Sequence, residues 1–99
     1  MNYSLMEQGA DEASRLLKAM ANERRLLILC YLAEAEHSVG ELAERVGLSQ
    51  SALSQHLAKL RADGLVETRR DAQNIFYSLS GKNVNRVLDV LHDIYCEPS

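Results

Sequence analysis

Val46-Gly47-Leu48-Ser49-Gln50-Ser51-Ala52-Leu53-Ser54-Gln55-His56-Leu57-Ala58-Lys59-Leu60 is the stretch whose reading decides the fold. Ser49 stands where a helix needs an N-cap, its hydroxyl able to accept from an otherwise unpaired N–H of the first turn. Leu53, Leu57 and Leu60 then recur at helical spacing and form an inward stripe. Gln50, Ser51, Ser54 and Gln55 fall on the opposite face. The helix is expected to run to about Ala62, with Gly64 as its C-terminal stop. Upstream, Ser38-Val39-Gly40-Glu41 has the S-x-x-E form of a capping box. It opens a short helix whose core residues are Val39, Leu42, Ala43 and Val46. Gly47-Leu48 makes the turn between the two helices.

Working outward, Leu65–Arg70 and Ile75–Leu79 are two short β-type runs around the polar turn Asp71-Ala72-Gln73-Asn74, the pattern of a hairpin. On the N-terminal side, Asn22 caps a helix containing Arg24–Ala33, apolar almost all round and therefore central. A first helix runs from about Glu7 to Met20, with Ala13, Leu16, Leu17 and Met20 on one face. After the hairpin, Ser80 is placed to cap a last helix striped with Val84, Val87, Leu88, Leu91 and Ile94. Pro98, the single proline, interrupts none of these. The expected fold is mostly α with a β-hairpin wing, α-α-α-α-β-β-α. It is a winged helix-turn-helix, a single DNA-binding and dimerisation domain over residues 1–99.

A helix held by three leucines and presenting small polar residues can enter a major groove. Gln hydrogen-bonds an adenine edge in two places, and Ser donates or accepts. Arg69, Arg70, Gln73 and Asn74 of the hairpin would reach phosphates or a minor groove. The same face also has a plainer reading, a solvated helix surface, because helix pairs with a Gly turn occur in proteins that bind no DNA. His56 is open between a base contact and a structural role.

Net charge of −3 speaks against strong binding to random DNA, but its distribution is uneven. Residues 1–44 carry four Lys/Arg and eight Asp/Glu, whereas residues 45–74 carry five and three. The positive excess coincides with the helix pair and hairpin. No apolar run is long enough to span a bilayer. The acidic N-terminus lacks a basic-then-apolar signal pattern, so a cytoplasmic protein is expected, with no membrane partner.

The two cysteines, Cys30 and Cys96, form no CxxC. Taken alone, Cys30 reads as a small core residue in an apolar helix. Cys96, beside Glu97 and Pro98, is harder to read as a core residue. Asp89, His92 and Asp93 on the last helix fall short of a full ligand set, and the expectation is no metal and no cofactor. A thiol enzyme is the rival class. No motif places a His or Lys to lower a thiol pKa, although His92 precedes Cys96 at i, i+4. The chain is expected not to be an enzyme.

KAMANERRLLILCYL (residues 18–32) and SVGELAERVGLSQSALSQHLAKLRADGLVETRRDAQNIFYSL (residues 38–79) resemble the ArsR/SmtB family of bacterial repressors. The resemblance spans about Leu16 to Leu79, with compatible first and last helices. It implies base or phosphate contacts from Ser49, Gln50, Ser51, Ser54, Gln55 and His56, and wing contacts from Arg69, Arg70 and Gln73. The family's metal-binding cysteines have no counterpart in ELAERVG (residues 41–47). Cys30 and Cys96 resemble instead the thiol pair of the family's dithiol branch. That implies redox sensing, with a reactive sulfur species or oxidant as inducer and a disulfide or polysulfide bridge as product. The remaining alternatives are a regulator or anti-repressor with non-sensing cysteines.

The first and last helices each present an apolar stripe that a small winged core covers only in part. A homodimer is therefore expected, placing two recognition helices ~34–36 Å apart on a roughly palindromic double-stranded operator.

Overall fold

A computed structural model describes residues 1–96, so the expectations that involve Glu97 and Pro98 lie outside the described residues. The order is α1 (Tyr3–Met20), α2 (Glu23–Glu34), β1 (His37–Ser38), α3 (Val39–Val46), α4 (Gln50–Ala62), β2 (Val66–Asp71), β3 (Asn74–Leu79) and α5 (Asn83–Tyr95).

The caps expected from the sequence set most helix boundaries. Asn22 Oδ1 accepts from the Arg25 N–H at 3.1 Å, and Ser49 Oγ accepts from the Ala52 N–H at 3.1 Å. The capping box is reciprocal. Ser38 Oγ accepts from the Glu41 N–H at 3.3 Å, and Glu41 Oε1 accepts from the Ser38 N–H at 3.1 Å. Gly47, at φ 76°, turns the chain out of α3. α4 ends with the Leu65 N–H on the Leu60 carbonyl at 2.9 Å and the Gly64 N–H on the Arg61 carbonyl at 3.0 Å. This paired closure needs the left-handed backbone that Gly64 supplies at φ 78°.

Three expectations need correction. α1 begins at Tyr3, not about Glu7, because Asn2 caps it by accepting from the Leu5 N–H at 3.1 Å. Ser80 does not cap α5. The cap position is Lys82, with no side-chain cap hydrogen bond, and the Ser80 N–H donates to the Leu65 carbonyl at 2.9 Å. A further strand, β1, joins the hairpin to give a three-stranded antiparallel sheet of order β1-β3-β2. His37 pairs with Tyr77 and Ser38 with Phe76. In the hairpin Asp71 faces Asn74, leaving Ala72-Gln73 as a two-residue turn. Ala72 takes φ 56°, an uncommon conformation for a residue with a Cβ, which tight hairpins demand at this position.

The core gathers around α2. Ile28, Leu29, Leu42, Leu53, Leu57, Leu60 and Leu88 are fully buried and draw α2, α3, α4 and α5 together. His37 is the buried polar residue of the described chain. Its ring stands edge-on to Tyr31, centroids 6.5 Å apart, and its Nδ1 lies 3.9 Å from Glu41 Oε2. No helix among the described residues is long and apolar enough to cross a membrane.

Candidate nucleic-acid interface and thiol pair

α4 divides cleanly into two faces. Leu53, Leu57 and Leu60 are completely buried, whereas Ser49, Gln50, Ser51, Ser54 and Gln55 are exposed together. His56 lies between the faces, half-buried. The turn before α4 is tied to α2 from below. Arg24 Nη1 donates to the Val46 carbonyl at 3.1 Å, and the Tyr31 hydroxyl donates to the Arg45 carbonyl at 3.4 Å. The Arg45 guanidinium lies 5.9 Å from the Tyr31 ring centre. These bonds fix the end of α3, and through Gly47-Leu48 the start of α4. The result is an exposed hydrogen-bonding surface on a rigid helix, the requirement for reading base edges.

The sheet separates the wing residues by face, because neighbours along a strand point to opposite sides. Arg70 and Gln73 are exposed, and Arg70 makes no ion pair among the described residues. Arg69 is engaged. Its Nε donates to Glu36 Oε2 at 3.2 Å and its Nη2 to Glu36 Oε1. Its guanidinium lies 4.8 Å from the centre of the Phe76 ring, and Nη1 is 3.9 Å from Asp71 Oδ2. The hydrogen bonds from Arg69 hold the Glu36 carboxyl below the usual carboxylate range. Sequence reasoning missed Glu36, and no local signal marks a partner 33 residues away.

Cys30 is half-buried on α2 and Cys96 is exposed just after α5; both are free thiols. Cys30 opens into a cleft of about 680 Å³ between the helices, lined by Leu27, Tyr31 and Glu34 of α2 and by Leu88, Asp89 and His92 of α5. Burial pushes the Cys30 thiol up from its ordinary value, and the neighbouring charges of Cys96 and Glu34 push it further. Asp89, His92 and Asp93 are exposed. The described residues hold no group of three or more His, Cys, Asp or Glu side chains placed for a metal ion.

Leu17 of α1 and Val90 and Ile94 of α5 are more than half exposed. Between the two helices runs a groove of about 860 Å³ lined by Ala13, Leu16, Val84, Val87 and Val90, among others.

Comparison with known proteins agrees with this geometry. Residues 22–68 match the model of the bacterial regulatory protein family arsR. The chain is 59% identical over 97 residues to the transcriptional activator HlyU of Vibrio cholerae, covering 98% of this chain and 90% of the relative. The crystal structure of the transcriptional repressor BigR from Xylella fastidiosa superposes with a TM-score of 0.92 at 41% identity, covering 99% of this chain and all of that one. A solution structure from Mycobacterium bovis, described as a homodimeric winged helix-turn-helix DNA-binding domain, gives a TM-score of 0.80 at 35% identity. It covers 89% of this chain and 82% of that one. The chain belongs to the arsR family of bacterial regulatory proteins, and its architecture is that family's winged helix-turn-helix.

Proposed function

We propose that this transcriptional regulator is a cytoplasmic homodimer, without enzymatic activity, that represses by binding a palindromic operator and lets go when its thiol pair is oxidised or persulfidated. The observation that carries the DNA reading is the exposed row Gln50, Ser51, Ser54 and Gln55, backed by three completely buried leucines. Ser49 at the helix N-terminus suits a phosphate, His56 borders the same face, and Arg70 and Gln73 extend the surface along the wing. The homodimeric Mycobacterium bovis neighbour and the exposed apolar faces of α1 and α5 support two-fold assembly.

Two free thiols, Cys30 lining the cleft between α2 and α5 and Cys96 exposed just after α5, support a working dithiol. The exposed Cys96 attacks, as its thiolate, the outer sulfur of a persulfide RSSH, giving a Cys96 persulfide and RS⁻. Cys30 then attacks the Cys96 sulfur and displaces hydrosulfide. Two protein thiols and one RSSH thus become a disulfide, RSH and hydrogen sulfide. The protein loses two electrons, and the sulfane sulfur gains them. The link joins the middle of α2 to the end of α5, and a shift of about 1.4 kcal/mol between DNA-competent and incompetent shapes changes affinity tenfold.

The test uses a duplex selected by the reduced protein from a random pool. Persulfide treatment should weaken binding by wild type and leave Cys30→Ser unaffected. Unchanged wild-type binding defeats the sensing reading, and failure of the reduced protein to select any duplex defeats the DNA reading.

A further inference from the structure

Arg69 and Arg70 are adjacent cations that meet different surroundings. Arg69 shares a sheet face with its cross-strand partner Phe76, and Phe76 pairs on its other side with Ser38. Glu36 lies just before β1, and its carboxylate meets the Arg69 guanidinium on that face. The Arg69 side chain therefore starts on β2, passes over the ring of the central strand β3, and ends in a two-point grip on the carboxylate beside β1. One side chain spans all three strands. An isolated surface ion pair is a weak tether. This one is bidentate, planar and laid on an aromatic face, the arrangement for which arginine is suited and lysine is not.

We infer that Glu36 and Arg69 form a clamp that positions the wing, so that Arg69 orders the hairpin for DNA, while Arg70 presents the wing's phosphate-binding charge. Glu36 is a positioning residue whose carboxylate also cancels a charge that would otherwise face the duplex. The assignment rests on the DNA-binding reading above, and it gives Arg69 a different role from the direct contact expected from the sequence. Its distinguishing consequence lies in counterion release. Each phosphate contact contributes about −0.9 to the slope of log affinity against log salt. A residue that only positions the wing changes affinity without changing that slope.

The experiment measures binding of a fluorescent duplex, selected by the wild-type protein from a random pool, across a series of salt concentrations. Arg70→Ala should flatten the slope by about 2 for the dimer, one contact from each copy. Arg69→Ala should weaken binding with the slope unchanged. Glu36→Gln should free the Arg69 charge and steepen the slope by about 2. The exchange Glu36→Arg with Arg69→Glu should restore the affinity lost in Arg69→Ala at the wild-type slope. Circular dichroism and melting of each variant confirm that it is folded. The clamp is overturned if Arg69→Ala flattens the slope as Arg70→Ala does, if Glu36→Gln leaves it unmoved, or if the exchange restores nothing. If the wild-type protein selects no duplex at all, the DNA-binding reading falls first and takes the clamp with it.

Discussion

Cys30 on α2 opens into the cleft against α5, and the charge of Cys96, which follows α5, opposes its ionisation. Burial is the larger influence on Cys30, and Glu34 adds to it. All three raise its pKa, so the thiol stays protonated at neutral pH and gains nucleophilicity as the solution becomes alkaline. In Cys96→Ser, where Cys30 is the one remaining thiol, its alkylation rate should keep climbing above about pH 8.5, the ordinary thiol value. Glu34→Gln in that background should raise the rate near neutrality. The sign for stability follows. The folded state holds the Cys30 proton more tightly than the unfolded chain does. Stability is therefore lost as pH rises from the ordinary thiol value toward the raised one. A rate that levels off below pH 8.5 would contradict the burial of this thiol.

α4 should separate DNA binding from folding. Gln55→Ala removes an exposed side chain, so melting should be nearly unchanged. Operator discrimination should fall by about 1–3 kcal/mol for each lost bidentate contact. Leu57→Ala empties a completely buried site and should cost about 2–5 kcal/mol of stability. Parallel melting and duplex titration of the two variants check this. Loss of discrimination in Gln55→Ala accompanied by an equal loss of stability would contradict the division of the helix into two faces.

The helix pair was legible in the sequence because its signals are local. The Ser38/Glu41 box, the Ser49 cap, Gly47, Gly64 and the Leu53/Leu57/Leu60 stripe each act within one or two turns of helix, and the structure places them as the spacing implies. β1 was not legible. Two residues carry no alternation, and His37–Ser38 becomes a strand only because β3 offers a free edge about 40 residues further along. The Glu36 grip on Arg69 was hidden for the same reason, since it exists only once the sheet has formed. Ser80 misled because a serine before a helix usually caps it. Here its N–H is committed to Leu65, and the chain turns through Gly81 before α5 begins.

The capping box carries a pH signature. Hydrogen bonds from the Ser38 backbone and side chain hold the Glu41 carboxyl below the usual range, with smaller help from His37 and Arg45. A lowered folded value means that the stabilising contribution is complete above the ordinary carboxylate pKa. It disappears as pH falls through the lowered one. Ser38→Ala should cost about 1 kcal/mol at neutral pH, through loss of the cap. It should also shrink the fall in stability on acidification relative to wild type. Urea unfolding of both proteins at neutral and acid pH measures this, and equal acid sensitivity would show that the box does not couple to Glu41.

The exposed apolar residues of α1 and α5 put the proposed dimer to the test. Leu17, Val90 and Ile94 are each more than half exposed in the isolated chain, and a groove of about 860 Å³ lies between the two helices. Fully burying a Val, Leu or Ile side chain contributes about 1.5–3 kcal/mol, so a two-fold interface that covers these positions on both copies gains each term twice. Light scattering should give close to twice the chain mass of 11.1 kDa. Val90→Glu places a carboxylate into that interface from each side and should return the mass to that of one chain. Operator affinity should then fall by about 10²–10⁴, because one α4 no longer holds its neighbour at an adjacent half-site. A Val90→Glu protein that stays dimeric, or a monomer that binds the full palindrome as tightly as wild type, would place the two-fold contact elsewhere on the chain.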